Sequence, residues 1–142
     1  MGAEDHHDRI REIEHRAFDA RNLEERYLHP GEAVVIKHMS EDTPLEIGAG
    51  TDRFVIHRSV DGAGLAIFHR QDGGVGPNMT VPYDHEVAIG RNLNNPNGEY
   101  SDLMSRVHFA VKGIGPESFE LRDLRSSHGT VVRPLRVEQA PG

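Results

Sequence analysis

From Gly31 onward the chain never holds a helical period long enough to build a helix. Short runs of alternating apolar residues are cut apart by clusters of Gly, Pro, Asn and Asp, and this punctuation restricts the fold to many short strands. The candidate strands are residues 33–37, 44–47, 53–58, 65–70, 79–81, 86–89, 107–112, 118–121 and 130–132. Alternation such as Phe54/Ile56 or Val107/Phe109/Val111 gives each strand one buried face, which predicts an all-β, antiparallel β-sandwich of two packed sheets. The run Val60-Asp61-Gly62-Ala63-Gly64 is expected to turn one strand back on the next as a hairpin.

Upstream the grammar differs. Ile10, Ile13, Ala17, Ala20, Leu23 and Tyr27 recur at three- and four-residue steps between charged residues, so residues 5–28 are expected to form one N-terminal amphipathic α-helix ending at His29-Pro30-Gly31. The organisation expected is a helical extension over 1–30 and a sandwich domain over 31–142, with the helix open to a partner or to self-association. A chain of 142 residues supports one core.

Charge narrows the partners. The net charge of −7 argues against nucleic acid, whose phosphates call for a basic footprint. The last third runs against this average: residues 91–136 hold seven basic residues and five acids, a net +2 suited to a small anionic ligand. The start MGAEDHHDRI lacks the apolar stretch of a secretory signal, and no run is apolar enough to insert in a membrane, so a soluble cytoplasmic protein is expected. The absence of cysteine removes disulfides, thiol nucleophiles and thiolate metal sites together.

Three chemical readings fail on their own requirements. Gly48-Ala49-Gly50 and Gly62-Ala63-Gly64 complete no nucleotide-binding fingerprint and open no helix. The ten histidines show no ligand spacing, so no metal is expected. Ser105, His108 and Asp123 could be drawn as a hydrolase triad, but no nucleophile elbow surrounds the serine and Arg106 stands beside it. No catalytic residue is assigned, and no enzyme activity or cofactor is expected.

What remains is a spaced set. Gly90-Arg91 closes one strand, Ser105-Arg106-Val107-His108 follows, and then comes Asp123-Leu124-Arg125-Ser126-Ser127-His128-Gly129-Thr130. The three intervals together resemble the forkhead-associated (FHA) domain, over about residues 64–133. That resemblance implies a non-catalytic protein–protein interaction module of signalling, binding phosphothreonine-containing proteins or peptides. A phosphothreonine offers roughly −1.5 to −2 charges and three acceptor oxygens, which a guanidinium and a hydroxyl grip with charge-assisted bonds. By the same resemblance Arg91 and Ser105 hold the phosphate, Arg106 adds charge, and Ser127 and His128 line the peptide site. Gly90, His108, Gly129 and Thr130 would support it structurally, His108 by bonding inward to brace the loop that carries Ser105.

The chain departs from the family pattern twice. His128 stands where the family has asparagine, which puts the grip on the peptide backbone in doubt because an imidazole presents one donor and one acceptor in another geometry. And only twelve residues, Val131 to Gly142, follow the Gly-Thr pair, too few for the family's later strands. The stretch from Thr43 to His57 is similar to those closing strands. Two arrangements stay open at this point: a circularly permuted sandwich, stitched through the Val60–Gly64 turn, or a conventional domain with an N-terminal elaboration and a truncated edge. A phosphate-independent assembly module built on the same sandwich and the N-terminal helix is the competing function.

Overall fold

The computed structural model describes residues 17–40, 43–59, 62, 64–71, 74–95, 98, 100–115 and 117–135. Eleven strands run through them: β1 (Ala17–Asp19), β2 (Arg26–Leu28), β3 (Ala33–Lys37), β4 (Leu45–Ala49), β5 (Asp52–Arg58), β6 (Gly64–Gln71), β7 (Gly74–Pro82), β8 (Glu86–Ile89), β9 (Phe109–Gly115), β10 (Ser118–Asp123) and β11 (Thr130–Pro134). They form a five-stranded sheet, β1-β3-β10-β9-β8, and a six-stranded sheet, β2-β11-β4-β5-β6-β7. All pairings are antiparallel except that of β1 with β3.

Alternation decides what each strand buries. In β5, Asp52, Phe54 and Ile56 are buried while Arg53 is exposed, and in β10, Phe119, Leu121 and Asp123 turn inward between Ser118, Glu120 and Arg122. Phe54, Phe109, Phe119, Ile36, Leu45, Ile47, Ile56, Leu65, Ile67 and Ile89 fill the space between the sheets. Each such side chain contributes about 1.5–3 kcal/mol by leaving water.

The helix expected over residues 5–28 is corrected across its second half. Ala17–Asp19 is a strand, Ala20–Asn22 a single 3-10 turn capped by the Asp19 carboxylate on Arg21 N–H, and Arg26–Leu28 a second strand. β1 pairs with β3 in one sheet and β2 with β11 in the other, so backbone bonds to distant partners replace the local helical ones. Residues 5–16 of that expected helix lie outside the described residues. Among the described residues no helix is long and apolar enough to cross a membrane.

On the outward parity of β4, Glu46 is only 4% exposed at its side chain because arginines from β11, β5 and β6 close over it. It accepts from Arg133 Nε at 2.9 Å and from Arg70 at 2.7 Å, with Arg53 Nε at 3.9 Å. Burial opposes its charge, but the hydrogen bonds from Arg133 and Arg70 outweigh that and hold its carboxyl below the ordinary range.

Four connections meet at one end of the sandwich: β2–β3, β4–β5, β8–β9 and β10–β11. Gly31 N–H and Ser126 N–H both reach the Asp123 carboxylate, Leu124 N–H donates to the His108 carbonyl, and Ser101 N–H donates to Asp52.

Candidate functional site

The β8–β9 connection is built by backbone bonds. Gly90 and Leu93 exchange bonds, Arg91 N–H donates to the Ser105 carbonyl at 3.0 Å, and Asn92 N–H donates to the Arg106 carbonyl at 3.2 Å. The two limbs of the loop therefore run side by side, and the returning backbone crosses directly over Gly90. A Cβ there would collide with the Arg106 carbonyl, and only glycine permits the crossing. The consequence is that Arg91 and Ser105, fourteen positions apart, stand next to each other.

Ser105 is fixed from two directions. Its N–H donates to His108 Nδ1 at 3.1 Å, and its Oγ accepts from Ser127 N–H at 2.9 Å. His108 is wholly buried, and its Nε2 lies 2.7 Å from the Gly129 carbonyl. An N–H can only donate and a carbonyl only accept, so these two partners select the neutral ring with its proton on Nε2. Burial pushes the imidazole pKa down, which keeps that form. His108 thus ties the Ser105 loop to the β10–β11 turn.

That turn is organised around Asp123, 1% exposed. Its carboxylate accepts from Ser126 Oγ at 2.6 Å, Thr130 Oγ1 at 2.7 Å, Ser126 N–H at 2.9 Å and Gly31 N–H at 3.2 Å. Burial works against the charge, yet the bonds from Ser126, Thr130 and Gly31 prevail and leave the carboxyl below the ordinary aspartate range. Ser126 Oγ accepts in turn from Gly129 N–H at 2.8 Å. With both ends clamped, Arg125 is held at φ 57, a left-handed backbone that a lone arginine would seldom adopt. Gly129 has φ 78, and a Cβ on it would meet the Leu28 carbonyl at 2.6 Å and the Tyr27 hydroxyl, which donates to the His128 carbonyl at 2.7 Å.

Two groups on the permanently buried side reach this site from strands far along the chain. His69 Nε2 lies 3.0 Å from Asp52 Oδ1, and Asp52 Oδ2 accepts from Ser101 N–H at 2.7 Å. One residue on, the Asp102 carbonyl accepts from Arg91 Nη1 at 3.2 Å. Asp52 and His69 sit at inward positions of their strands beside Phe54, Ile67 and Ile56, and that misplaced polarity was the available sequence signal for them. Tyr27 carried no such signal.

Arg21, Arg53, Arg70, Arg122 and Arg133 all have carboxylate partners. Arg26, Arg58, Arg91, Arg106 and Arg125 have none among the described residues, and three of these five, Arg91, Arg106 and Arg125, stand on the two loops just described. Ser105 Oγ has its acceptor side occupied by Ser127 N–H, and its own proton finds only Ser127 Oγ at 3.5 Å, too long for a good O–H···O bond. That proton and the Arg91 guanidinium are available to an anion. Ser127 and His128 are exposed beside them, while Thr130 is buried and bonded to Asp123. Of the residues singled out in the sequence, Arg91, Ser105 and Ser127 are joined by direct bonds between their segments. Arg106 and His128 are exposed on the same loops. No group of three or more His, Asp or Glu able to hold a metal exists among the described residues.

A family model described as the FHA domain matches residues 87–141. No curated protein and no solved structure matches the chain. The matched segment opens in β8 and contains Gly90, Arg91, Ser105, Arg106, His108, Ser127, His128, Gly129 and Thr130.

Proposed function

We propose, taking the FHA-domain match over residues 87–141 as the premise, that this chain is a non-catalytic module binding phosphothreonine-containing segments of other proteins. FHA domains are in general phosphopeptide-binding interaction modules. Arg91 and the Ser105 hydroxyl take the phosphoryl oxygens, Arg106 raises the local potential, and Ser127 and His128 flank the bound segment. The observation that carries the reading is the locked pairing of the Arg91 and Ser105 loops, with their cations uncompensated by any described carboxylate. A hydrogen bond to a charged group contributes about 1.5–3 kcal/mol, so Arg91→Ala should weaken binding roughly 10- to 100-fold.

Fluorescence anisotropy with one peptide sequence in phosphothreonine, phosphoserine and unmodified forms tests this. Binding of the phosphothreonine form alone, lost on Arg91→Ala and weakened by salt, supports it. Equal binding of modified and unmodified peptides would replace it with the phosphate-independent assembly module.

The sandwich is read here as circularly permuted. Support comes from β4 and β5, which lie upstream of the matched segment yet pair with β11 and β6 in the six-stranded sheet. A gene joining residue 135 to residue 26 through a short linker and opening the chain at residue 62 should fold with the same far-ultraviolet spectrum. Failure of that rearranged chain to fold would argue for the conventional domain.

A further inference from the structure

Among the described residues the large apolar side chains left in water are Tyr27 (50% exposed), Leu103 (50%), Val107 (42%) and Ile114 (43%). Single exposed apolar residues are ordinary on a protein surface. Three of the four gather at the loops just described: Leu103 and Val107 lie on the β8–β9 loop, and Tyr27 lies against the β10–β11 turn through its bond to the His128 carbonyl, whereas Ile114 lies near the other end of β9.

Leu103 is held outward by its backbone. Ser101 N–H is bound to Asp52, Leu103 N–H donates to Ser101 Oγ at 3.1 Å, and Met104 N–H donates to the Ser101 carbonyl at 3.0 Å. Beneath this turn lies Gly50 with φ 62, where a Cβ would stand 2.9 Å from the Leu103 carbonyl. The loop cannot sink to bury Leu103, and its neighbours Tyr100 and Met104 already fill the core side.

A continuous line of contacts connects the apolar groups through the candidate anion site. Leu103 follows Asp102, whose carbonyl holds Arg91; Arg91 N–H is bound to Ser105; Ser105 Oγ is bound to Ser127; and His128, next in the chain, is bound to Tyr27. Leu103 is thus tied to the Arg91 side of the candidate anion site and Tyr27 to its Ser127–His128 side, with cationic and hydroxylic groups linking the two. An extended segment laid across these groups presents side chains on both sides of its central residue, about 3.3 Å of rise per residue.

We propose that the phosphothreonine segments bound here carry apolar side chains on both sides of the phosphorylated residue, one packing on Leu103 and one on Tyr27. This rests on the reading of Arg91 and Ser105 as the phosphate site. The partner is thereby an extended phosphothreonine segment with aliphatic flanks, in contrast to one embedded among acids or serines.

The test titrates two phosphothreonine peptides into the full chain, one with Leu and Val flanking the phosphothreonine and one with Ser in their place. The apolar-flanked peptide is expected to bind about tenfold more tightly. Leu103→Ser should remove about five- to tenfold from the apolar-flanked peptide and leave the Ser-flanked one unchanged, with the thermal midpoint unmoved because the side chain is exposed. Tyr27→Phe should keep the preference and Tyr27→Ser reduce it. Equal affinity of the two peptides for the wild type, or equal losses of both in Leu103→Ser, overturns the inference. Arg91→Ala separates the two levels. If it weakens both peptides while the flank preference is absent, only the apolar contacts are wrong; if it weakens neither, the phosphate site fails and the apolar contacts with it.

Discussion

His108→Ala removes a buried side chain that joins the Ser105 loop to the β10–β11 turn. The substitution leaves Ser105 N–H and the Gly129 carbonyl without their partner in an interior the imidazole filled completely. Each buried group so stranded costs about 1–3 kcal/mol, and the vacated ring adds a cavity term, so a loss of about 3–5 kcal/mol is expected. With a urea slope of about 1.5 kcal/mol/M for a domain of this size, the midpoint should fall by about 2–3 M. Circular dichroism is the appropriate readout because the chain has no tryptophan. A second signature comes from pH. The folded imidazole titrates below its ordinary value because burial disfavours the cation, so the unfolded chain takes up the proton first. Its stabilising contribution is complete above about pH 6.5 and declines as pH drops toward the depressed folded value. The wild type should lose stability over that interval more steeply than His108→Ala does. A midpoint shift under about 0.5 M, or identical pH slopes in the two proteins, would refute the account of His108 as a neutral, doubly bonded tie.

The remaining outcomes follow from the same contacts. Asp123→Ala strands four donors and should cost about 3–5 kcal/mol by urea titration; in the wild type the folded carboxyl lies below its unfolded value, so its contribution is complete above about pH 4 and vanishes as pH falls further, read as an acid-unfolding limb absent from the variant. Gly129→Ala must both hold φ 78 and displace Tyr27, so a loss of at least about 2 kcal/mol is expected, and an unchanged thermal midpoint would contradict the packing at that turn. Glu46→Gln leaves three arginines facing one another, but each is one-third to more than one-half exposed and can return to water, so the loss should be limited to about 1–2 kcal/mol and should shrink in high salt.

Much of the sheet architecture could be read from alternation, and the misreadings have physical causes. Residues 33–37 and 86–89 form strands with the bounds expected, because β-branched residues and turn-forming neighbours agree there. β7 runs from Gly74, well before the expected start at Met79, although Gly74, Gly76 and Pro77 disfavour a strand. Its register with β6 overrides local preference, and as the edge of its sheet it tolerates proline. Over Ala17–Leu28 two strands of three residues each are too short for a period of two to outweigh a helical spacing of Ala17, Ala20, Leu23 and Tyr27. Only the pairings of Ala17 with Val35 and of Tyr27 with Val131 decide it, and those span distances no local pattern encodes.

The candidate site divides along the same line. The groups proposed to hold an anion, Arg91, Ser105 and Ser127, fall within one segment, and their mutual spacing is a property of that segment alone, which is why both the motif and the family match at residues 87–141 include them. Several of its supports do not. Gly31 N–H on Asp123, Asp52 on Ser101, Gly50 under Leu103 and Tyr27 on His128 all come from residues 27–52, and of these only Asp52 carries a signal in sequence, as a polar residue at an inward strand position. A loop anchored only within residues 87–134 would keep the Arg91–Ser105 backbone bonds yet lose the bond that fixes Ser101, and with it the Asp102 carbonyl on which the guanidinium rests. If the proposed function holds, the groups that take the anion lie in the matched segment, whereas the aim of the guanidinium depends on the unmatched one, and substitutions at Asp52 or Gly50 should act on affinity through Arg91 without touching a ligand themselves.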